Sequence, residues 1–212
     1  NLSIKQTQDA VLLSHLSAAE GLDIFEVGGG NSRTLPVLCR HNRGVNVDPV
    51  EGSGHGPIGI DQGAVPWRHV FRKVGETADV LPDESADIIY SISVLEHVIF
   101  DGDIASAVSD MVRLLRPGGS MIHLVDAYVA DQGQENSFAL KIARALRNAL
   151  SHPSLEPAGE VLSDEEIYFK GEYATNPDYI MHHLNKSAPQ WRALRARAQA
   201  CSFIMKATKR IL

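Results

Sequence analysis

A chain of 212 residues, 44% hydrophobic and 22% charged, can bury one sizeable core and lies far from disordered compositions. Its formal net charge of −6 lacks the basic footprint of a protein that grips phosphates, which argues against a nucleic-acid partner. With Cys39 and Cys201 its two cysteines, no disulfide framework is expected, and a reducing, cytoplasmic setting fits best.

No run of about 18 apolar residues occurs, so no membrane span is expected. Because the chain starts at Asn1 rather than Met, residues trimmed from the amino terminus are expected, which leaves a removed targeting segment open. Thr7–Leu16 spaces Val11, Leu12 and Leu16 on one face and predicts an amphipathic helix. Leu22–Val27 is a short apolar run ended by Gly28-Gly29-Gly30, hence a buried strand entering a tight turn. Asn31 or Ser32 can cap the helix predicted over Thr34–Arg40, where Pro36 is tolerated in the first turn. Gly44–Val47 is a second strand, ended by Asp48-Pro49. Residues 51–66, rich in glycine and holding Pro57 and Pro66, predict a long loop. A third strand is expected at Phe71–Val74 and a fourth at Asp87–Val94, the latter apolar enough to be covered on both faces.

Ile104–Leu115 carries a helical apolar stripe and Pro117-Gly118-Gly119 stops it before a fifth strand, Met121–Val125. Repeated strand and crossover alternation predicts an α/β fold, a doubly wound, mostly parallel sheet with helices on both faces. Beyond Asp126, Phe138–Leu150 reads as a helix stopped by His152-Pro153, Glu156–Asn185 as polar and irregular, Trp191–Arg197 as helix and Ser202–Ala207 as a last strand.

Ligands of such sheets bind outside the carboxyl ends of the strands. Here those ends carry Glu26 and the glycines, Asp48, Glu76-Thr77, Ser91–Glu96 and Asp126. A dinucleotide fingerprint, G-x-G-x-x-G, would need glycine where Arg33 stands. Glu26 would repel a pyrophosphate and suits an ammonium or hydroxyl instead. Asp48 lies about 20 residues beyond it, the separation at which an acid can accept both hydroxyls of a ribose. A nucleoside without phosphates satisfies these features together.

Four stretches, "IFEVGGGN", "GVNVDPV", "GETADVLPDESADIIYSISVLEHV" and "LLRPGGSMIHLV", resemble in order the motifs of the class I S-adenosylmethionine-dependent methyltransferases. The resemblance runs from Leu22 to Val125 and implies a Rossmann-like methyltransferase fold with S-adenosyl-L-methionine as cofactor. It implies that Glu26 and Gly28 meet the methionine part, Asp48 the ribose, Pro49 or Val50 one adenine face, and Glu76 and Thr77 its edge, with Gly30 also a cofactor-binding residue. Ser91 would lie beneath the methionine end. The sequence departs from the family at Ser32, where many members have a third glycine, and in the glycine loop after Asp48, where a helix is usual.

His97 and Asp126 are the candidates for handling a proton of the acceptor. The adjacent His182 and His183, with His55 and Asp61, lack ligand spacing, so no metal is expected. "HLVDAYVADQ" and "LNKSAPQWRAL" resemble methyltransferases acting on sugars of bacterial surface polysaccharides, which implies an O or N atom of a small-molecule acceptor, a sugar or glycoconjugate, as the methyl acceptor. Competing assignments are a nicotinamide-dependent oxidoreductase, which Arg33 and the strand-end acids oppose, and a cofactor-binding module without turnover. A single domain divides into a cofactor-binding core over 1–126, a substrate cover over 127–185 with Tyr128, Tyr173, Tyr179, His182 and His183 on its inner face, and a closing helix and strand over 186–212. From Lys186 onward the chain holds seven basic residues and no acid, read as a solvated helix face and edge-strand charges.

Overall fold

The computed structural model describes residues 4–52, 56–60, 63, 65–130, 138–161, 163–164 and 198–211. Among these, a seven-stranded sheet has the order β3-β2-β1-β4-β5-β7-β6. The strands are β1 (Asp23–Val27), β2 (Arg43–Val47), β3 (Trp67–Val70), β4 (Ala86–Ile92), β5 (Leu115–Ala130), β6 (Leu155–Pro157) and β7 (Ala198–Lys209). β1 to β5 run parallel, and β7 enters antiparallel between β5 and β6. The order reverses between β1 and β4, which opens a crevice at their carboxyl ends.

Side chains of alternate parity along each strand feed two cores. On one face Ile24, Tyr90, Ile122 and Leu124 pack with Leu12 and Leu16 from α1 (Ile4–His15) and its end, and with Leu35 and Leu38 of α2 (Leu35–Leu38). On the other, Phe25, Ile89, Met121 and Val125 pack against α3 (Leu95–Asp101), α4 (Ile104–Leu114) and α5 (Phe138–Leu150). The sheet is thus doubly wound. Ser32 accounts for its own departure from glycine: its Oγ accepts the Leu35 N–H at 2.9 Å and so satisfies a first-turn donor of α2, whose N-cap, Thr34, makes no such bond.

Several sequence expectations are corrected. The third strand is Trp67–Val70 rather than Phe71–Val74; Asn46 pairs with His69 and Val47 with Val70, which fixes the register. β3 lies at the sheet edge, where one free side relaxes the demand for apolar residues that the sequence reading relied on. α3 and β6 were not foreseen. The fifth and last strands are far longer than Met121–Val125 and Ser202–Ala207. Their ladder runs from Ser120↔Thr208 to Ala130↔Ala198, whereas β4 leaves β5 at Leu124, so the two strands continue as a ribbon beyond the sheet.

Within the expected cover over 127–185, α5 buries Ala139, Ile142 and Leu146 in the core and β6 completes the sheet, so these two elements belong with the core rather than with a cover. Tyr128 lies in β5, and Tyr173, Tyr179, His182, His183 and the expected helix Trp191–Arg197 lie outside the described residues.

Candidate functional site

The turn after β1 is pinned from β2. Gly28 and Gly30 take φ of 67° and 50°, the left-handed region that favours glycine. The Gly28 N–H donates to the Val47 carbonyl at 2.8 Å. Asn46, fully buried, accepts the Gly29 N–H through Oδ1 at 3.2 Å and donates from Nδ2 to the Gly30 carbonyl at 2.9 Å. Asp48 accepts the Gly30 N–H at 2.7 Å through one oxygen and the Val50 N–H at 2.7 Å through the other. A methyl at Gly28 would stand 2.6 Å from the Val94 side chain, at Gly29 2.5 Å from the Glu26 carboxyl, and at Gly30 2.9 Å from Pro57. Only bare backbone fits, and it lines the crevice.

Pro57 belongs to the glycine loop that replaces a helix. Glu51 and Ile58 form an isolated antiparallel bridge, and the Gly52 N–H donates to the Pro57 carbonyl at 3.1 Å. The loop thereby folds back over Gly30. Val50, which stays in the left-handed region at φ 57°, is buried and is not among the residues lining the crevice.

Glu26 sits behind this turn. Its neighbours in register are Asn46 and Tyr90, Thr34 donates to its Oε1 at 3.3 Å, and Oε2 has no hydrogen-bond partner. Burial pushes its carboxyl up to about 7, against the weaker opposing influence of the nearby Ser32, Thr34 and Tyr90 hydroxyls. It lines a small side cavity of about 40 Å³ with Asp9, Arg33 and the glycines, not the main one.

The main cavity, about 730 Å³, lies at the reversal point of the sheet. Of the sequence-derived candidates, Gly28, Gly30, Asp48, Pro49, Glu76, His97 and Asp126 share its wall. Thr77 and Ser91 do not. Thr77 donates to Asp110 at 2.8 Å and accepts from Arg113 at 2.9 Å, which ties the loop after β3 to α4. Ser91 faces the core covered by α3, α4 and α5 and pairs with His123 Nδ1 at 2.8 Å. Complete burial holds that imidazole down at about 3, hence neutral.

In the same wall the candidate Asp126 meets Lys5, Gln8 and Ser93, which the sequence did not single out. Asp126 accepts from Lys5 at 2.9 Å, Gln8 at 2.7 Å and Ser93 at 3.0 Å, so α1 is strapped onto β5. Ser93 holds a left-handed φ of 56°, an uncommon backbone for a residue with a side chain. Glu96, in the first turn of α3, is 5% exposed, lines the cavity, and leaves Oε2 without a partner. Burial, and then the charge of Asp126, push its carboxyl up to about 8. Its sequence signal was its place directly after an apolar strand, where His97 drew the attention instead. Among the described residues no group of His, Cys, Asp and Glu could hold a metal ion, and no helix is long and apolar enough to cross a membrane.

A doubly wound sheet of order 3-2-1-4-5-7-6 with an antiparallel β7, a pinned glycine turn and an acid closing β2 defines a Rossmann-like methyltransferase fold. Residues 25–123, a little under half of the chain, match the family described as a methyltransferase domain, which is consistent with a class I S-adenosylmethionine-dependent methyltransferase family. No curated protein matches the sequence. Among solved structures, phosphoethanolamine N-methyltransferase 2 of Haemonchus contortus, in complex with S-adenosyl-L-methionine, superposes with a TM-score of 0.61 at 14% identity, over 97% of this chain and 53% of that one. The 1,6-didemethyltoxoflavin-N1-methyltransferase of Burkholderia thailandensis, with bound 1,6-didemethyltoxoflavin and S-adenosylhomocysteine, gives a TM-score of 0.51 at 15% identity over 98% of this chain and 78% of that one. The [4+2]-cyclase SpnF gives 0.56 at 17% over 100% and 84%. Likeness at these identities speaks to the fold.

Proposed function

We propose that the chain transfers the methyl group of S-adenosyl-L-methionine to an O or N atom of a small-molecule acceptor, a sugar or glycoconjugate foremost. The observation that carries this reading is the direct hydrogen bond from Gly30 to Asp48 on the wall of one cavity, with acids at its other end. A volume of about 730 Å³ suits a ligand of nucleoside size with room for an acceptor. When bound, the cofactor supplies a methyl on a sulfonium, whose C–S bond breaks with its electron pair left on sulfur as the acceptor's lone pair forms the new bond.

The chain's own residues bind and orient. Asp48 keeps lone pairs free beside its two backbone donors, so it can still accept the hydroxyls of a ribose. Pro49 offers an apolar face to the adenine and Glu76 an acceptor for its amino edge. The backbone of Gly28 to Gly30 meets the methionine part, with Glu26 as the acid behind it. Thr77 and Ser91 act from one layer back, by holding the loop and the strand that carry the wall. His97 and Asp126 are at the acceptor end. Acceptor choice falls to the remainder of the 127–185 segment outside α5 and β6. A nicotinamide ligand fits less well, because its pyrophosphate would meet the acids behind and beside the glycine turn.

Calorimetry with S-adenosylhomocysteine tests the cofactor, with tight binding expected. Labelled S-adenosylmethionine with a panel of methyl glycosides and primary amines tests the acceptor; transfer to amines alone would refute the sugar.

A further inference from the structure

We infer that Glu96 is the group that takes the proton from the acceptor hydroxyl, its carboxyl set in the cavity wall beside Asp126. The inference rests on the methyltransferase reading above and deepens it. Glu96, His97 and Asp126 all line the cavity, and their surroundings differ. Asp126 is taken up by Lys5, Gln8 and Ser93, so its oxygens serve to dock α1. His97 is exposed to solvent. Glu96 alone combines deep burial, a place in the cavity wall and an oxygen, Oε2, with no partner inside the protein. A buried carboxyl oxygen without a donor is costly, and a hydroxyl arriving from the cavity relieves the cost.

The surroundings also set its strength as a base. Asp126 on β5 presents negative charge, Lys5 on α1 a compensating positive one, and desolvation outweighs both, which brings the carboxyl up to about 8. A hydroxyl is a weak acid, and a carboxylate of raised basicity is better matched to it than an ordinary one. The balance is simple. The acceptor O–H bond breaks with its pair left on oxygen, that oxygen makes the bond to the methyl carbon, and the proton forms a carboxylic acid at Glu96 Oε2. Release of that proton to solvent through the cavity restores the carboxylate. Activity should therefore rise as pH climbs through about 8, where Glu96 gives up its resting proton.

The test combines a titration without acceptor and a kinetic comparison. Protein labelled with carboxyl-¹³C glutamate is titrated by NMR, and the resonance missing from Glu96→Gln is assigned to Glu96. A midpoint near 8 is expected. With the best methyl glycoside of the panel, Glu96→Gln should lose kcat by about 10²- to 10⁴-fold and the alkaline rise with it, and Glu96→Asp should recover part of both. Affinity of the variant for S-adenosylhomocysteine should stay within about threefold of the parent. A Glu96 resonance that titrates among ordinary glutamates, or a Glu96→Gln variant with kcat within about threefold of the parent, overturns the inference. Failure of the underlying reading looks different. S-adenosylhomocysteine then binds neither protein, or the parent methylates no hydroxyl while the resonance still titrates near 8; either result removes the hydroxyl proton and the inference with it.

Discussion

Asp48 and Gly30 are joined by a 2.7 Å hydrogen bond, so the acid that ends β2 also fixes the last glycine of the turn after β1. Asp48→Ala therefore removes the proposed ribose acceptor and loosens the glycine backbone together. The expected loss of affinity for S-adenosylhomocysteine is on the order of 2 to 4 kcal/mol, roughly 30-fold to 1000-fold. Calorimetry that finds an unchanged Kd in a folded variant would refute the ribose assignment.

Glu26 makes stability fall with pH. Its carboxyl is raised from the usual 4.5 to about 7, so the folded state holds more protons than the unfolded one between those values. The parent should lose stability as pH rises across that window, and Glu96 adds to the loss up to about 8. Glu26→Gln keeps the shape without the charge. Its advantage over the parent should be small at pH 4.5, grow to the order of 3 kcal/mol at most, and level off above pH 7. Thermal melts at a series of pH values read this directly; parallel curves would show that Glu26 titrates normally.

Gln8, 1% exposed, donates to Asp126 and Ser202 and accepts from Ser93, so it joins α1 to β5, to β7 and to the turn after β4. Replacing it with alanine leaves buried partners unsatisfied. Urea unfolding of Gln8→Ala should show a loss of about 1 to 3 kcal/mol with little change in slope. A midpoint equal to the parent's would mean that α1 contributes nothing through this residue.

Deleting residues 165–185 tests where the acceptor is chosen. Every assigned cofactor-binding residue precedes Asp126, so S-adenosylhomocysteine affinity should stay within about threefold while methyl transfer is abolished. Transfer at the parent rate by the deletion variant would move acceptor recognition to the glycine loop or α1.

The parts of the site visible in the sequence were those fixed by local chemistry. Gly28 to Gly30 and Asp48 announce themselves because a turn needs glycine and a strand end needs a reason to carry an acid. Asn46 was harder: an uncharged residue inside β2 gives no alarm unless its parity with Gly44 is followed to the face that carries Glu26. Lys5, Gln8, Ser93 and Asp126 come from three distant stretches, and only the docking of α1 across the sheet brings them together. Thr77 and Ser91 show the reverse. Each stands at the strand end or loop the motif implies, yet Asp110 and His123 claim their hydroxyls on the covered side. The edge position of β3 and the ribbon beyond β4 depend on pairing partners far along the chain, which periodicity within a window cannot reveal.

β7 stands between β5 and β6, although it follows both in the chain. During synthesis the fifth strand therefore leaves the ribosome with a long side unpaired, and β6 has no neighbour at all. Until the segment from Ala198 to Lys209 emerges, that open flank can add a strand from any other nascent chain. Premature termination anywhere before Ala198 should consequently yield aggregates rather than a slightly weakened enzyme, and chaperone demand should peak just before β7 is made.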